Sequence, residues 1–370
     1  MKNNYFILLM LTSLLFSCSN RTTNSELPEI PVDMEQNISL PLSEIAEEIT
    51  AIELELTDES LINPDRIKRI IVAENDIIVA QMNSIFIFDK DGKFVRSIGS
   101  KGQGPGEYNN IRNLALDERN KRLFVNSTRK IICYDLDGNF LRESFPFQQG
   151  NVHVYDMNYI NNELLTIVDA IGRKDEKGLF NHSVVYRLND DLQITDSCTI
   201  RNTYFEKPGM SIHPYEDYIL DGNATVSLYY SDFYFDEQNP AEEVLRDTLY
   251  RFENNQLVPD FRLKFKNNGL DGGGKKIIQL FNTYCSSRYI FAVYGNSLNS
   301  NYYRFCYDTK TGKGYNMQDG YTDDINGIDK RISIRPFHTN PEMFYYWHTH
   351  IKSGDLEEPN PTLYVGQLKK

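Results

Sequence analysis

An all-β fold built from a repeated four-stranded unit is what this sequence predicts, and three observations carry that expectation. Residues 85–98, IFIFDKDGKFVRSI, lie over residues 131–144, IICYDLDGNFLRES, with six of fourteen positions identical at an offset of 46. Tyr and Phe, which suit half-buried strands, number 24 and 21 in a chain of 370. Few stretches repeat apolar residues at helical spacing over three turns.

The repeat extends upstream. At the same offset, residues 75–84, NDIIVAQMNS, lie over residues 121–130, KRLFVNSTRK. Each unit therefore offers strand, turn, strand, turn, strand, an Asp-x-Asp-Gly turn, and a last strand. A period of about 40–50 residues with four strands is the pattern of a propeller blade. Weaker copies follow at residues 184–200, 247–263 and 302–317. The third strands are expected near Phe88, Tyr134, Tyr186, Tyr250, Phe305 and Tyr364, which makes six blades. The chain ends soon after TLYVGQL, so the last blade lacks an outer strand. Residues 49–56, ITAIELEL, alternate like a strand and are expected to close the ring. The expected fold is a six-bladed β-propeller closed by an N-terminal strand.

Residues 1–17 read as a signal peptide. Lys2 supplies the positive start, and the apolar run from Tyr5 to Phe16 is too short to span a bilayer. Ser17 directly precedes Cys18, a lipobox-like ending that makes Cys18 the expected lipidated residue. Residues 18–37 are polar and read as a tether, and residues 38–370 as the propeller. The expected address is the cell envelope, as an outer-membrane lipoprotein. A net charge of −13 argues against a nucleic-acid partner, because no basic stripe is available to neutralise phosphates. Cys133, Cys198, Cys285 and Cys306 have no CxxC spacing and are expected as buried free thiols; only Cys285 and Cys306 are close enough in chain for an easy bridge.

Residues 40–62, LPLSEIAEEITAIELELTDESLI, and the run IFIFDKDGKFVRSIGSKGQGPGEY resemble the six-bladed β-propeller lipoproteins abundant in Bacteroidetes, which are distantly similar to NHL-repeat proteins. The resemblance is strong from about residue 40 to 145 and architectural beyond. It implies the fold and the envelope location, and it carries no catalytic residues.

The glycine-rich stretch GSKGQGPGEY, residues 99–108, is expected to join the first blade to the second on the face that usually carries ligand sites. It lacks the Gly-Lys-Ser/Thr ending and the following helix of a phosphate loop. Gly102, Gly104 and Gly106 are expected at positive φ, with Glu107 and Tyr108 free for recognition. Equivalent joints hold MSIHPYEDY, LDGGGKK and GYTDDINGIDKR. The candidate ligand-binding residues are therefore Gln103, Glu107, Tyr108, Arg112, His213, Tyr215, Lys275, Tyr321 and Asp323, with Lys276 beside them.

The Asp-x-Asp-Gly stretches at Asp89 and Asp135 lack the further acidic ligands of a calcium loop and read as hairpin turns. WHTH places His348 and His350 on one side of a strand, and a metal there would need a third ligand such as His338. No G-x-S-x-G elbow is present, and no catalytic residue is assigned. No cofactor is expected. The favoured function is non-catalytic binding of a glycan, a peptide or an envelope protein. The alternatives are a metal-dependent lyase or hydrolase of NHL-like type, and a purely structural envelope component.

Overall fold

The computed structural model describes residues 27–128, 130–147, 151–205, 210–212, 218–222, 225–230, 233–235, 247–274, 276–351 and 358–370. Six sheets, each an antiparallel meander, stand around one axis. From inner to outer strand, the first blade is Ile67–Val72, Asp76–Gln81, Ile85–Asp89 and Phe94–Ser97. The second is Ile111–Asp117, Arg122–Ser127, Lys130–Asp135 and Phe140–Ser144. The third is Asn151–Ile160, Glu163–Asp175, Gly178–Leu188 and Ile194–Phe205. The fourth is Ile219–Asp221, Val226–Leu228, Thr248–Glu253 and Gln256–Phe265. The fifth is Ile278–Cys285, Tyr289–Asn296, Asn301–Asp308 and Lys313–Gln318. The sixth is Arg335–Pro336, Met343–His348 and Thr362–Leu368, completed by Ala46–Glu53. Each of the six positions expected in a third strand falls in one.

The closing strand lies slightly earlier than residues 49–56. Ala46–Glu53 pairs antiparallel with Thr362–Leu368, Ala51 opposite Tyr364 and Ile52 opposite Leu363. It stops at Glu53 because Leu54 turns into the core, 5% exposed, among Ile62, Ile67 and Leu363. This closure leaves no open edge between first and last blades.

The Asp-x-Asp-Gly turns fold as hairpin turns for a local reason. Asp89 Oδ1 accepts the amides of Asp91 and Lys93, both at 2.9 Å, and Gly92 takes φ +82°. Asp135 Oδ1 accepts the Asn139 amide at 2.8 Å, and Gly138 takes φ +91°. These turns also dock on the preceding blade. The Glu55 amide donates to the Gly92 carbonyl at 2.8 Å, and Arg96 Nη1 donates to the Leu136 carbonyl at 2.7 Å. A Cβ on Gly92 would fall 2.2 Å from the Glu53 carbonyl oxygen, so this glycine serves a close approach as well as a turn.

The axis is cross-linked by polar groups. Arg69 of the first blade is 2% exposed and pairs through Nη2 with Asp156 of the third, which is fully buried. Arg69 Nη1 donates to the carbonyls of Leu114 and Met157, at 2.7 and 2.8 Å. Asp156 Oδ2 accepts the amides of Tyr218 and Ile219, each at 2.8 Å. Asn158 Nδ2 donates to the His338 carbonyl at 3.1 Å. Five of the six blades thus meet through one ion pair and its neighbours. Beside it is a cavity of about 30 Å³, lined by Arg69, Leu114, Asn158 and His338, room for about one water.

The polar stretch expected as a tether is part of the fold from Glu29 onward. Glu29–Val32 adds as a parallel fifth strand to the outer edge of the fourth blade, Glu29 opposite Arg262 and Val32 opposite Phe265. Ile30 and Val32 enter the core, while Glu29 pairs with Arg262 and Lys264. The segment then crosses the fifth blade, where Asn316 Nδ2 donates to the Gln36 carbonyl at 2.8 Å. It reaches the joint before the sixth, where the Leu42 amide donates to the Thr322 carbonyl at 2.9 Å. Glu29–Val32 and its continuation form a strap over three blades. The four cysteines among the described residues are free thiols, with Cys133 and Cys306 buried and Cys198 and Cys285 half-buried.

Asp156→Ala is expected to cost about 3–5 kcal/mol, because it leaves the Arg69 charge buried without its partner. Urea unfolding of both proteins measures this, and a loss under about 0.5 kcal/mol would contradict the axial cross-link. A chain beginning at Thr57 loses the strap, the closing strand, and the buried Leu40, Leu42, Ile45 and Leu54. At about 1.5–3 kcal/mol per large apolar side chain, it should not melt cooperatively near the full chain's Tm in calorimetry.

Candidate functional site

Four strands per blade return the chain to the same face after every blade, so all inter-blade joints share that face. The first joint is fastened from beneath. Ser100–Lys101 and Glu107–Tyr108 pair in parallel, and the Gly102 amide donates to the Tyr108 carbonyl at 3.0 Å. Tyr134 donates its hydroxyl to the Gly106 carbonyl at 2.6 Å. Lys130 Nζ reaches the Gly104 carbonyl at 3.0 Å and the Glu143 carboxylate at 3.1 Å.

Positive φ is found at Gly106, +66°, and Gly99, +65°, and not at Gly102 or Gly104. Gly102 instead leaves room for Glu107: a Cβ there would stand 2.0 Å from Glu107 Oε2 and would displace that carboxylate. That oxygen accepts the Gly104 amide at 2.8 Å, so the Glu107 carboxylate is turned into the joint. Tyr108 is 2% exposed and donates to the Ile98 carbonyl at 2.8 Å. Burial pushes its phenol up to about 12. The expectation that Glu107 and Tyr108 present themselves for recognition is therefore corrected: both hold the joint together.

The other expected residues divide likewise. Gln103 and Arg112 are exposed on the joint face. Tyr321 is buried, its backbone bridged to Ile332 in both directions at 2.8 and 2.9 Å, and burial raises its phenol well above the ordinary value. Asp323 is 3% exposed and accepts the Tyr346 hydroxyl at 2.7 Å and the Asn326 amide at 2.8 Å. Tyr321 and Asp323 thus build the joint before the sixth blade and are withdrawn from the ligand set. Cys18, His213, Tyr215 and Lys275 lie outside the described residues.

His348 and His350 do come together, their rings T-shaped with centroids 4.7 Å apart. The His350 Nε2 and the Tyr364 hydroxyl share a hydrogen bond of 2.6 Å. Burial, followed by the positive neighbours His350 and Lys330, holds the His348 pKa below its ordinary value. Both line a groove at the rim with Glu53 and Asp91, whereas His338 stands at the axis. His338 is therefore no third ligand to this pair. Among the described residues, no group of three His, Cys, Asp or Glu is placed to hold a metal.

The most developed feature of the joint face is the third blade. Its second strand has 13 residues, against 6 in the first and second blades, and carries a hairpin past the body of the ring. The side facing the fourth blade is polar and buried: Asp169, Asn181, Ser183 and Thr203 are each 5% exposed or less. Tyr230 donates to Asp169 Oδ2 at 2.9 Å, and Arg201 lies over the Tyr230 ring at 5.1 Å. Asn181 Nδ2, Ser183 Oγ and Thr203 Oγ1 have no hydrogen-bond partner among the described residues.

The side facing the second blade packs apolar residues and borders an open cleft of about 390 Å³. Phe145, Pro146 and Phe147, which open the joint leaving the second blade, form one wall. Val152, Val168 and Ala170 form the floor, and Tyr186, Ile194, Arg173 and His182 the rest. Phe147 and Tyr186 meet at 5.3 Å between centroids. His182 Nδ1 is held by Asn202 Oδ1 at 2.6 Å. Its volume falls within the roughly 300–1,000 Å³ of ligand pockets, and its lining mixes aromatic and aliphatic side chains with polar groups. The sequence does show its wall, as the Phe-Pro-Phe run at residues 145–147, but not the long hairpin that stands opposite.

The architecture and this cleft define a six-bladed propeller with one enlarged blade on its joint face. The chain belongs to the family described as Domain of unknown function (DUF4934), which it matches over residues 27–363. No curated protein matches it. The crystal structure of a Bacteroides fragilis NCTC 9343 protein assigned as exported is similar in fold, with a TM-score of 0.63 and 18% identity. The match covers 92% of this chain and 99% of that one. The Neurospora crassa Pan2 WD40 domain is similar at a TM-score of 0.42 and 10% identity, covering 82% of this chain and 76% of that one.

Gly106→Ala places a Cβ at positive φ and 2.8 Å from the Phe140 ring, whereas Gln103 is exposed. Thermal melts should show Gly106→Ala destabilised by at least about 1 kcal/mol and Gln103→Ala unchanged within about 0.5 kcal/mol. Equal melts for both would remove the strain assigned to this joint.

Proposed function

We propose that this protein is a non-catalytic binding propeller of the cell envelope, held to the outer membrane through Cys18, that recognises a glycan, a peptide or a partner protein on its joint face. The observation that supports the reading best is the cleft between the second-blade joint and the enlarged third blade. Its volume lies within the range of ligand pockets, and its wall at residues 145–147 begins at a joint. Its aromatic groups supply apolar contact, and Arg173 and His182 supply orientation. The lipobox-like Ser17–Cys18 supports the anchor. One acyl chain binds membranes only marginally, so more than one chain would hold the protein there.

The test is a screen of glycan and peptide arrays with the purified propeller, repeated with Phe145→Ala. Phe145 is 48% exposed, so its removal should leave the melt unchanged within about 0.5 kcal/mol. Binders found with the wild type should weaken about tenfold, as expected for loss of one aromatic contact. Unchanged affinity would move the site away from the cleft. For the anchor, Cys18→Ser should pass from the membrane fraction to the soluble fraction of cells, and retention with membranes would refute it.

A further inference from the structure

The rim groove at the sixth blade holds a pair of side chains that the binding reading does not use. The groove is open, with a volume of about 1110 Å³, and its lining shares no residue with the cleft beside the third blade. His348 ends the strand Met343–His348, and His350 follows two residues later. That spacing puts both imidazoles on one side of the chain, where their rings meet at an interplanar angle of 85°.

Each ring has a nitrogen available. His350 engages the Tyr364 hydroxyl through Nε2 at 2.6 Å, which holds the ring in place and leaves Nδ1. His348 makes no hydrogen bond among the described residues, and burial followed by the charges of His350 and Lys330 disfavours its protonation. An ion about 2.0–2.1 Å from one nitrogen of each ring would lie about 3.2 Å from both ring centres, so two imidazoles on one ion stand about 5 Å apart. The observed separation of 4.7 Å is close to that value. Around the pair, Glu53, Glu55 and Asp91 outnumber Lys93 and Lys330 in the lining, so the groove favours a cation. Imidazole donors select Zn²⁺, Cu²⁺ or Ni²⁺ over Mg²⁺ and Ca²⁺, which take oxygen ligands.

We propose that His348 and His350 chelate one divalent transition-metal ion of the Zn²⁺ class in the rim groove. Among the described residues the chain supplies no third ligand from His, Cys, Asp or Glu. A four-coordinate ion therefore keeps two positions for water or for a donor atom of a bound molecule. The proposal goes beyond the binding reading of the joint face and does not rest on it.

The test uses the full mature chain without a histidine tag, titrated in a calorimeter with Zn²⁺ and, separately, with Mg²⁺. Wild type should take up one Zn²⁺ per chain and show no comparable uptake of Mg²⁺. His350→Ala, at an exposed position, and His348→Ala should each weaken Zn²⁺ binding at least about tenfold. Melts without metal confirm that the variants are folded, and His350→Ala decides alone if His348→Ala is not. No saturable Zn²⁺ binding below about 1 mM would overturn the proposal. Binding that survives His350→Ala unchanged would also overturn it, by placing the ion elsewhere on the chain. Equal uptake of Mg²⁺ would overturn it too, by assigning the ion to carboxylates. Each of these failures leaves the cleft and its array screen untouched, because the two sites share no residue.

Discussion

The pairing of Arg69 with Asp156 is the interaction on which the ring depends. Inner strands of a propeller converge, and their backbones end near the axis with amides and carbonyls that no neighbouring strand of the same blade can satisfy. Arg69 and Asp156 meet that need together. The guanidinium serves the carbonyls of the second and third blades, and the carboxylate serves two amides at the start of the fourth. A buried ion pair contributes little net stability over an apolar substitute. Its value here is geometric: it fixes which blade faces which across the axis, where apolar packing alone would permit sliding.

At the rim the same problem is solved differently. Each Asp-x-Asp-Gly turn closes its own hairpin and offers a backbone carbonyl to the blade before it. The ring is thus held at the centre by charge and at the circumference by turns. Between these two constraints one blade can grow without disturbing the others. The third blade does so, and it gains two unlike faces: a buried polar one toward the fourth blade and an open cleft of mixed lining toward the second.

The parts of this design that depend on short-range rules were legible in the sequence. The turn carboxylates and glycines repeat because a hairpin needs them, so the blade period and the third strands could be read directly. The closing strand was readable because its alternation matches a half-buried edge, though its end was displaced by Leu54 turning inward. What remained hidden depends on distant partners. Glu29–Val32 carries two apolar residues and a proline among polar neighbours, and only the open edge of the fourth blade makes it a strand. Tyr108 and Tyr321 in polar joints resemble exposed ligand-stacking residues, yet each fills space beneath its own loop. His338 is ten residues from His348 in chain but belongs to the axis. The cleft was invisible because its walls come from a joint and a long hairpin whose apposition no local pattern encodes.

The strap also determines how the molecule bears mechanical load. Tension arriving from the N-terminal side meets Glu29–Val32 before it can reach Ala46–Glu53. The first strand lies parallel to Gln256–Phe265, so a pull along its axis loads its ladder in shear, all bonds together, rather than opening them one at a time. The Glu29 pairs with Arg262 and Lys264 sit at the leading end of that ladder. Farther along, the Gln36–Asn316 and Leu42–Thr322 bonds form further stops on two other blades. The strand that closes the ring is therefore insulated from the force by a series of independent brakes, and the ring can hang from its N-terminal end without being drawn open.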